Sequence, residues 1–198
     1  MIIKSFEVDK INLKKNNLIL LYGKNEGFKK QIVKKFISNK TSISSYDEKE
    51  ILEFQNNFFE NIFNRSLFEE EKTIIIKRAT DKIFKIIEEI IQNKIGGISI
   101  IIKCNLLEKK SKIRNFFEKN KSTICVPFYE DDAQTLGQIA QNFFRKKNIN
   151  ISRENINLIV DRSNGDRINL NNELNKIEFY SKDKKNINLD QILKLTNL

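Results

Sequence analysis

The sequence predicts an α/β fold, a parallel sheet with flanking helices followed by a small helical unit, and three observations predict it. Over the first two thirds of the chain, short apolar runs alternate with amphipathic stretches of about 10 to 15 residues, the pattern of strands joined by crossover helices. The last third shows helical periodicity and no convincing strand. The charge also changes there. Residues 1–46 carry +7, 47–71 carry −6 and 72–125 carry +8, whereas 126–198 carry only +1. With the single proline at Pro127, these features divide the chain into an α/β domain over 1–127 and a helical domain of three to four helices over 128–198.

The elements follow in order. Residues 18–22 form a continuous apolar run closed by Gly23, which reads as a buried parallel strand. A helix follows over 26–37, with Phe28, Ile32, Val33 and Phe36 on one face. A weaker strand occupies 41–45. The spacing of Ile51, Leu52, Phe54, Phe58, Phe59, Ile62 and Phe63 predicts one amphipathic helix over 47–64. Residues 73–76 read as a strand. Asp81 is placed to cap a helix reaching residue 94, with Ile83, Phe84, Ile87, Ile90 and Ile91 facing the sheet and Gly96 and Gly97 ending it. Strands over 98–102 and 123–126 enclose a helix over 109–119. Helices over 131–147, 152–163 and 166–181, each opened by Asp or Ser, are separated at Asn148 and Gly165, and a short fourth covers 190–195.

Composition narrows the function classes. No apolar run approaches the roughly 20 residues of a membrane span, and no secretory signal precedes the first strand, so a cytoplasmic protein without membrane partners is expected. Cys104 and Cys125 lie in separate strands without metal-ligand spacing, and no metal site is expected. The net charge of +10 suggests nucleic acid. A codon-bias reading competes with it: only 7 of the 36 basic residues are Arg, and Lys, Ile, Asn and Phe are abundant together. Arg is the better fork for phosphate and base edges, so the compositional reading is preferred.

The segment 18–30 stands where a phosphate-binding loop would stand, between a first strand and a first helix whose amide groups can hold an anion. Its residues do not complete the motif. Counting from Gly23, the pattern requires Gly, Lys and Ser or Thr at 28, 29 and 30, and the chain has Phe28, Lys29 and Lys30. Phe28 blocks the close approach that glycine permits, and Lys30 offers no hydroxyl to magnesium. After the strand 73–76, the position of a metal-organising carboxylate holds Lys77 and Arg78. The chain has no histidine, and no carboxylate pair falls in a recognisable catalytic motif, so no intrinsic catalysis and no cofactor are expected.

These residues, in this order, resemble the delta subunit of the bacterial DNA polymerase III clamp loader. The resemblance is carried by Leu20-Leu21-Tyr22-Gly23-Lys24-Asn25-Glu26-Gly27 at the first turn and by Ser66-Leu67-Phe68 ahead of Thr73-Ile74-Ile75-Ile76. It continues through Asn105-Leu106, Lys110-Ser111-Lys112-Ile113-Arg114 and Asn172-Glu173-Leu174-Asn175-Lys176-Ile177 with Tyr180. It implies an AAA+ type, P-loop-like sheet domain followed by a helical lid, covering the first two domains of that family. It also implies a non-catalytic subunit of a DNA-directed DNA polymerase (nucleotidyltransferase) holoenzyme, which binds and opens the sliding clamp while motor subunits hydrolyse ATP.

The partners implied are the sliding clamp (beta) and the motor (gamma/tau) and delta-prime subunits, with primer-template DNA as a further candidate. Leu67 and Phe68 would form an apolar wedge for a pocket on the clamp. Gly23, Gly27, Phe28, Lys29 and Lys30 would form a degenerate phosphate loop, and Lys77 and Arg78 the lost metal-carboxylate position. In Gly165-Asp166-Arg167-Ile168, isoleucine stands where active relatives place a nucleotide-sensing arginine. Family members continue into a helical collar that joins the subunits, and the 198 residues hold no counterpart of it. An ATPase of the same architecture and a basic nucleic-acid-binding module without clamp contact are the competing readings. In the latter, residues 152–181 would act as a helix-turn-helix with Arg162 and Arg167 offered to phosphate.

Overall fold

A computed structural model describes residues 1–13, 15–37, 42–63, 72–93, 97–181 and 189–195. The chain divides into two compact units, Met1–Lys24 with Lys29–Phe128, and Asn25–Phe28 with Tyr129–Leu198.

The first unit is built on five parallel strands among the described residues: β1 (Leu18–Tyr22), β2 (Ser42–Asp47), β3 (Lys72–Ala79), β4 (Ile98–Cys104) and β5 (Ile124–Pro127). Their order is β2-β3-β4-β1-β5. The apolar runs form the interior of this sheet because a parallel strand covered on both faces needs apolar side chains at every position, and all five residues of β1 are buried. Register aligns them in rows. Ile75, Ile101, Ile19 and Ile124 pair across β3, β4, β1 and β5, and Ile76, Ile102, Leu20 and Cys125 form the next row. The edge strand β2 pairs only with β3 and alternates between half-buried and exposed positions through its first four residues. The core gathers around Leu20, Ile74 and Ile102 with Ile87 and Ile90 from α4 (Phe84–Gln92) and Ile113 and Phe117 from α5 (Lys112–Lys119). Full burial of each such side chain contributes about 1.5 to 3 kcal/mol.

Three expectations are corrected here. The single helix over 47–64 is two, α2 (Glu48–Glu53) and α3 (Gln55–Phe63), because Phe54 leaves helical geometry at φ −125°, ψ 54° and turns outward. The break lets Ile51 of α2 and both Phe58 and Ile62 of α3 join the same core. Asp81 does not cap the helix that follows it, since Thr80 accepts from the Lys82 amide there. Its carboxylate instead accepts from Ser111 Oγ at 2.7 Å and from the amides of Lys112 and Ile113, both at 3.0 Å, and so closes the start of α5. Ser111 also accepts from the Arg114 amide, which is why α5 begins at Lys112 and not near 109. The N-terminal segment, given no element by its pattern, forms a 3-10 turn over Ser5–Lys10, and Ile2 bridges to Cys125 of β5.

The second unit contains α6 (Ala133–Lys146), α7 (Arg153–Arg162), α8 (Arg167–Ser181) and α9 (Leu189–Leu195). Leu136, Ala140, Phe144, Ile159, Leu170 and Leu174 belong to its core. Asn148, Asn164 and Gly165 take left-handed conformations (φ 55°, 50° and 73°), the geometry in which Asn and Gly end helices. Asp132, not Asp131, caps α6 by accepting from the Thr135 amide at 2.7 Å. Asp131 is thereby released for the contacts described below. No helix among the described residues is long and apolar enough to cross a membrane.

Candidate functional site

In the first unit β1 runs on to β2 across the sheet, in the direction opposite to the β4 to β5 crossover. The two connections leave neighbouring strands in opposite senses, and ligands of open α/β sheets bind at the carboxyl ends of such strands. The turn leaving β1 starts at Gly23, whose φ of +122° is a conformation that residues with a side chain rarely adopt. A Cβ there would lie 2.1 Å from the carbonyl oxygen of Phe128. The turn is pinned on both sides, by Gly23 N–H to Asn105 O (3.1 Å) and Phe128 N–H to Tyr22 O (2.7 Å).

Lys29 is fully buried, and its ammonium donates to Gly23 O at 2.7 Å and Cys104 O at 2.6 Å. A phosphate-binding lysine must hold its charge toward the ligand. This one points into the protein and satisfies the carbonyls at the ends of β1 and β4. Lys30 is exposed and brings no hydroxyl to the turn.

The remaining turn residues, Asn25–Phe28, belong to the second unit. Asn25 Oδ1 accepts from the Phe28 amide at 2.9 Å, so one of the amides available to an anion is already used. Asn25 Nδ2 donates to Tyr129 O (3.0 Å) and Asp131 Oδ2 (2.8 Å). Asp131 also receives Arg167 as a fork, Nε at 2.7 Å and Nη2 at 2.5 Å. Both side chains are more than nine-tenths buried. The guanidinium lies 3.9 Å from the centre of the Phe28 ring, a cation–π contact. A Cβ on Gly27 would meet Arg167 Cβ at 3.0 Å and the Ile168 backbone nitrogen at 3.1 Å. Arg167, offered to phosphate in the helix-turn-helix reading, is therefore committed internally, and Arg162 donates to Leu193 O. The Asn25–Asp131–Arg167 cluster was not visible in the sequence, whose only hint was a surplus aspartate beside the cap of α6.

Lys77 and Arg78 lie at a register shift in the β3–β4 pairing, between Ile76 and Ala79, and both are exposed. Arg78 has φ +54° and pairs with Asp47 at 2.7 Å. The charged residues of β3 at this end are cations, and the carboxylates beside them, Asp47 and Glu48, are held by Arg78 and Thr80. Leu67 and Phe68 lie outside the described residues. Burial pushes the thiols of Cys104 and Cys125 up to about 12, which leaves them unreactive apolar groups. Among the described residues no cluster of His, Cys, Asp and Glu is arranged to hold a metal ion.

A five-stranded parallel sheet with flanking helices, followed by a helical unit and carrying a phosphate-loop position at its switch strand, is the AAA+ type of α/β fold, as the solved structures it resembles bear out. The chain superposes on the Bacillus subtilis DNA clamp loader delta protein with a TM-score of 0.61 at 18% identity, covering 96% of this chain and 62% of that one. It matches the Thermotoga maritima RuvB Holliday junction branch migration motor at 0.62 and 15% identity, with coverage of 96% and 65%. Domain III of the Thermotoga maritima replication initiation protein DnaA matches at 0.56 and 15%, with coverage of 96% and 87%. No family model matches the chain. In sequence it is similar to a probable DNA polymerase III subunit delta of Rickettsia prowazekii, 24% identical over 178 residues. That alignment takes in 89% of this chain and 54% of the relative, so the chain spans about half the length of the curated protein it matches.

Proposed function

We propose that this chain is a clamp-loader subunit of the delta type, which binds and opens a sliding clamp during DNA replication without binding or hydrolysing ATP itself. The observation that carries the reading is the burial of Lys29 against two backbone carbonyls, which turns the lysine at the motif position inward, away from any phosphate. Fold alone does not decide the matter, because the TM-scores to the loader subunit and to the branch migration motor are nearly equal. Loop chemistry supports the loader reading, together with the sequence similarity to a delta subunit.

In this reading Leu67 and Phe68 form the wedge that enters the clamp, and the partners are the clamp itself with the motor and delta-prime subunits. An aliphatic and an aromatic anchor entering one pocket have the anatomy of an interface hot spot, about 2 to 4 kcal/mol each when truncated. The test is clamp binding by the double variant Leu67→Ala, Phe68→Ala, with circular dichroism confirming that it is folded. Binding weakened at least a hundredfold is expected, since two such anchors together exceed about 2.8 kcal/mol. Undiminished binding by a folded variant would place the wedge elsewhere.

A further inference from the structure

The loops after β3 and β4, in the first unit, enclose a cavity of about 430 Å³ that none of the phosphate-loop residues lines. Its lining includes Arg78, Lys82 and Lys110 as cations and Ala79, Leu106 and Leu107 as apolar surface. Three features mark it. The β3–β4 register shifts at its mouth, and Arg78 there holds a left-handed backbone that a non-glycine residue adopts at a cost. Leu106 stands 63% exposed beside it with no core to join. Over the two loops, 77–82 and 103–112, seven cations stand with two carboxylates, and Asp47 at Arg78 and Glu48 at Thr80 bring the local net to +3. All four carboxylates are engaged, Asp81 by the start of α5, Glu48 by Thr80, Asp47 by Arg78 at 2.7 Å and Glu108 by Lys110 at 3.0 Å, while the Arg78 and Lys110 side chains in these surface pairs stay 75% and 87% exposed to a further carboxylate.

We infer that this groove docks an acidic peptide segment of a partner protein, with an apolar side chain of the peptide set against Leu106 and Leu107 and its carboxylates against Arg78, Lys82 and Lys110. The alternative occupant of a basic groove is nucleic acid. Two observations favour the peptide. Among the described residues no aromatic side chain lines the cavity, so bases find no stacking platform there. The amides at the start of α5 are taken by Asp81 and Ser111, so they offer no phosphate seat. A concave apolar floor with a cationic rim suits an anchored side chain flanked by carboxylates. The inference does not depend on the clamp-loader reading.

The test uses the 198-residue chain labelled with ¹⁵N and titrated with an eight-residue peptide of alternating Glu and Leu. Parallel titrations use the Lys and Leu counterpart and a twelve-nucleotide single-stranded thymidine oligomer. Saturable shifts at Ala79, Leu106, Leu107 and Lys110 with the acidic peptide alone are expected, weakening as salt is raised. Leu106→Ser and Arg78→Gly should each weaken binding about tenfold or more, while Lys34→Ala on α1 leaves it unchanged. Both groove variants alter exposed positions, and superimposable spectra will confirm their fold. Absence of shifts at the groove, equal response to the basic peptide, insensitivity to both groove variants, or tighter binding of the oligomer at the same residues would each overturn the inference.

Discussion

Lys29 combines two properties: it is at the lysine position of the phosphate-loop motif, and it has no exposure to solvent. In a nucleotide-binding loop, removing the lysine charge abolishes ligand binding and leaves the fold alone. Here the order should reverse. Lys29→Met keeps the aliphatic stem but strips the donor from two buried carbonyls, so stability should fall by about 1 to 3 kcal/mol in urea unfolding, and under the proposed function no nucleotide affinity is lost with it. A variant as stable as the parent would show that the buried ammonium contributes nothing. Gly23 sets the same turn from the backbone side. Gly23→Ala forces a Cβ onto the Phe128 carbonyl at a positive φ, and about 2 to 4 kcal/mol of destabilisation is expected from thermal melts. At this scale the sequence displayed the absence of a motif, Phe28 and Lys30 for Gly and Ser or Thr. It did not show where the lysine goes, because that depends on the Cys104 carbonyl, brought alongside only when β4 pairs with β1.

Among the elements, the strands were the most legible, since runs such as 73–76 and 98–102 are β-branched, short and apolar at nearly every position. Errors arose where one polar residue serves a distant partner. Asp81 has the spacing of a local cap and instead closes α5, about thirty positions later, and the same displacement hid the Asp131 to Arg167 pair. The break at Phe54 carries no glycine or proline, so helical periodicity ran straight through it. The role of Asp81 makes a pH prediction. Burial pushes its carboxyl up, but hydrogen bonds from Ile113, Ser111 and Lys112, aided by the Lys112 charge, outweigh that and hold it below its ordinary 3.8. A folded-state pKa below the unfolded one stabilises fully above the unfolded value, and the contribution is lost as pH falls through the folded value. Asp81→Asn should therefore cost about 1 kcal/mol near neutral pH. The difference from the parent should close as the pH drops below about 4, and a constant difference between pH 7 and pH 3 would mean that the charge is irrelevant.

For the whole molecule, fold and chemistry carry separate information. The fold matches loader, motor and initiator structures alike at identities of 15 to 18%, so the architecture leaves the activity open. The proposed function rests on a handful of side chains: Phe28, Lys29 and Lys30 at the loop, Lys77 and Arg78 in β3, and Arg167 stacked on Phe28. Together they predict no specific heat when Mg-ATP is titrated into the chain in a calorimeter, whereas saturable micromolar binding abolished by Lys29→Ala would restore the ATPase reading. The most direct test of a nucleotide-independent clamp-binding subunit is the affinity of the chain for the sliding clamp of the same genome, measured by surface plasmon resonance with and without Mg-ATP. Binding of equal affinity in both conditions is the predicted result, and binding that appears only with Mg-ATP, or no binding in either, would contradict it.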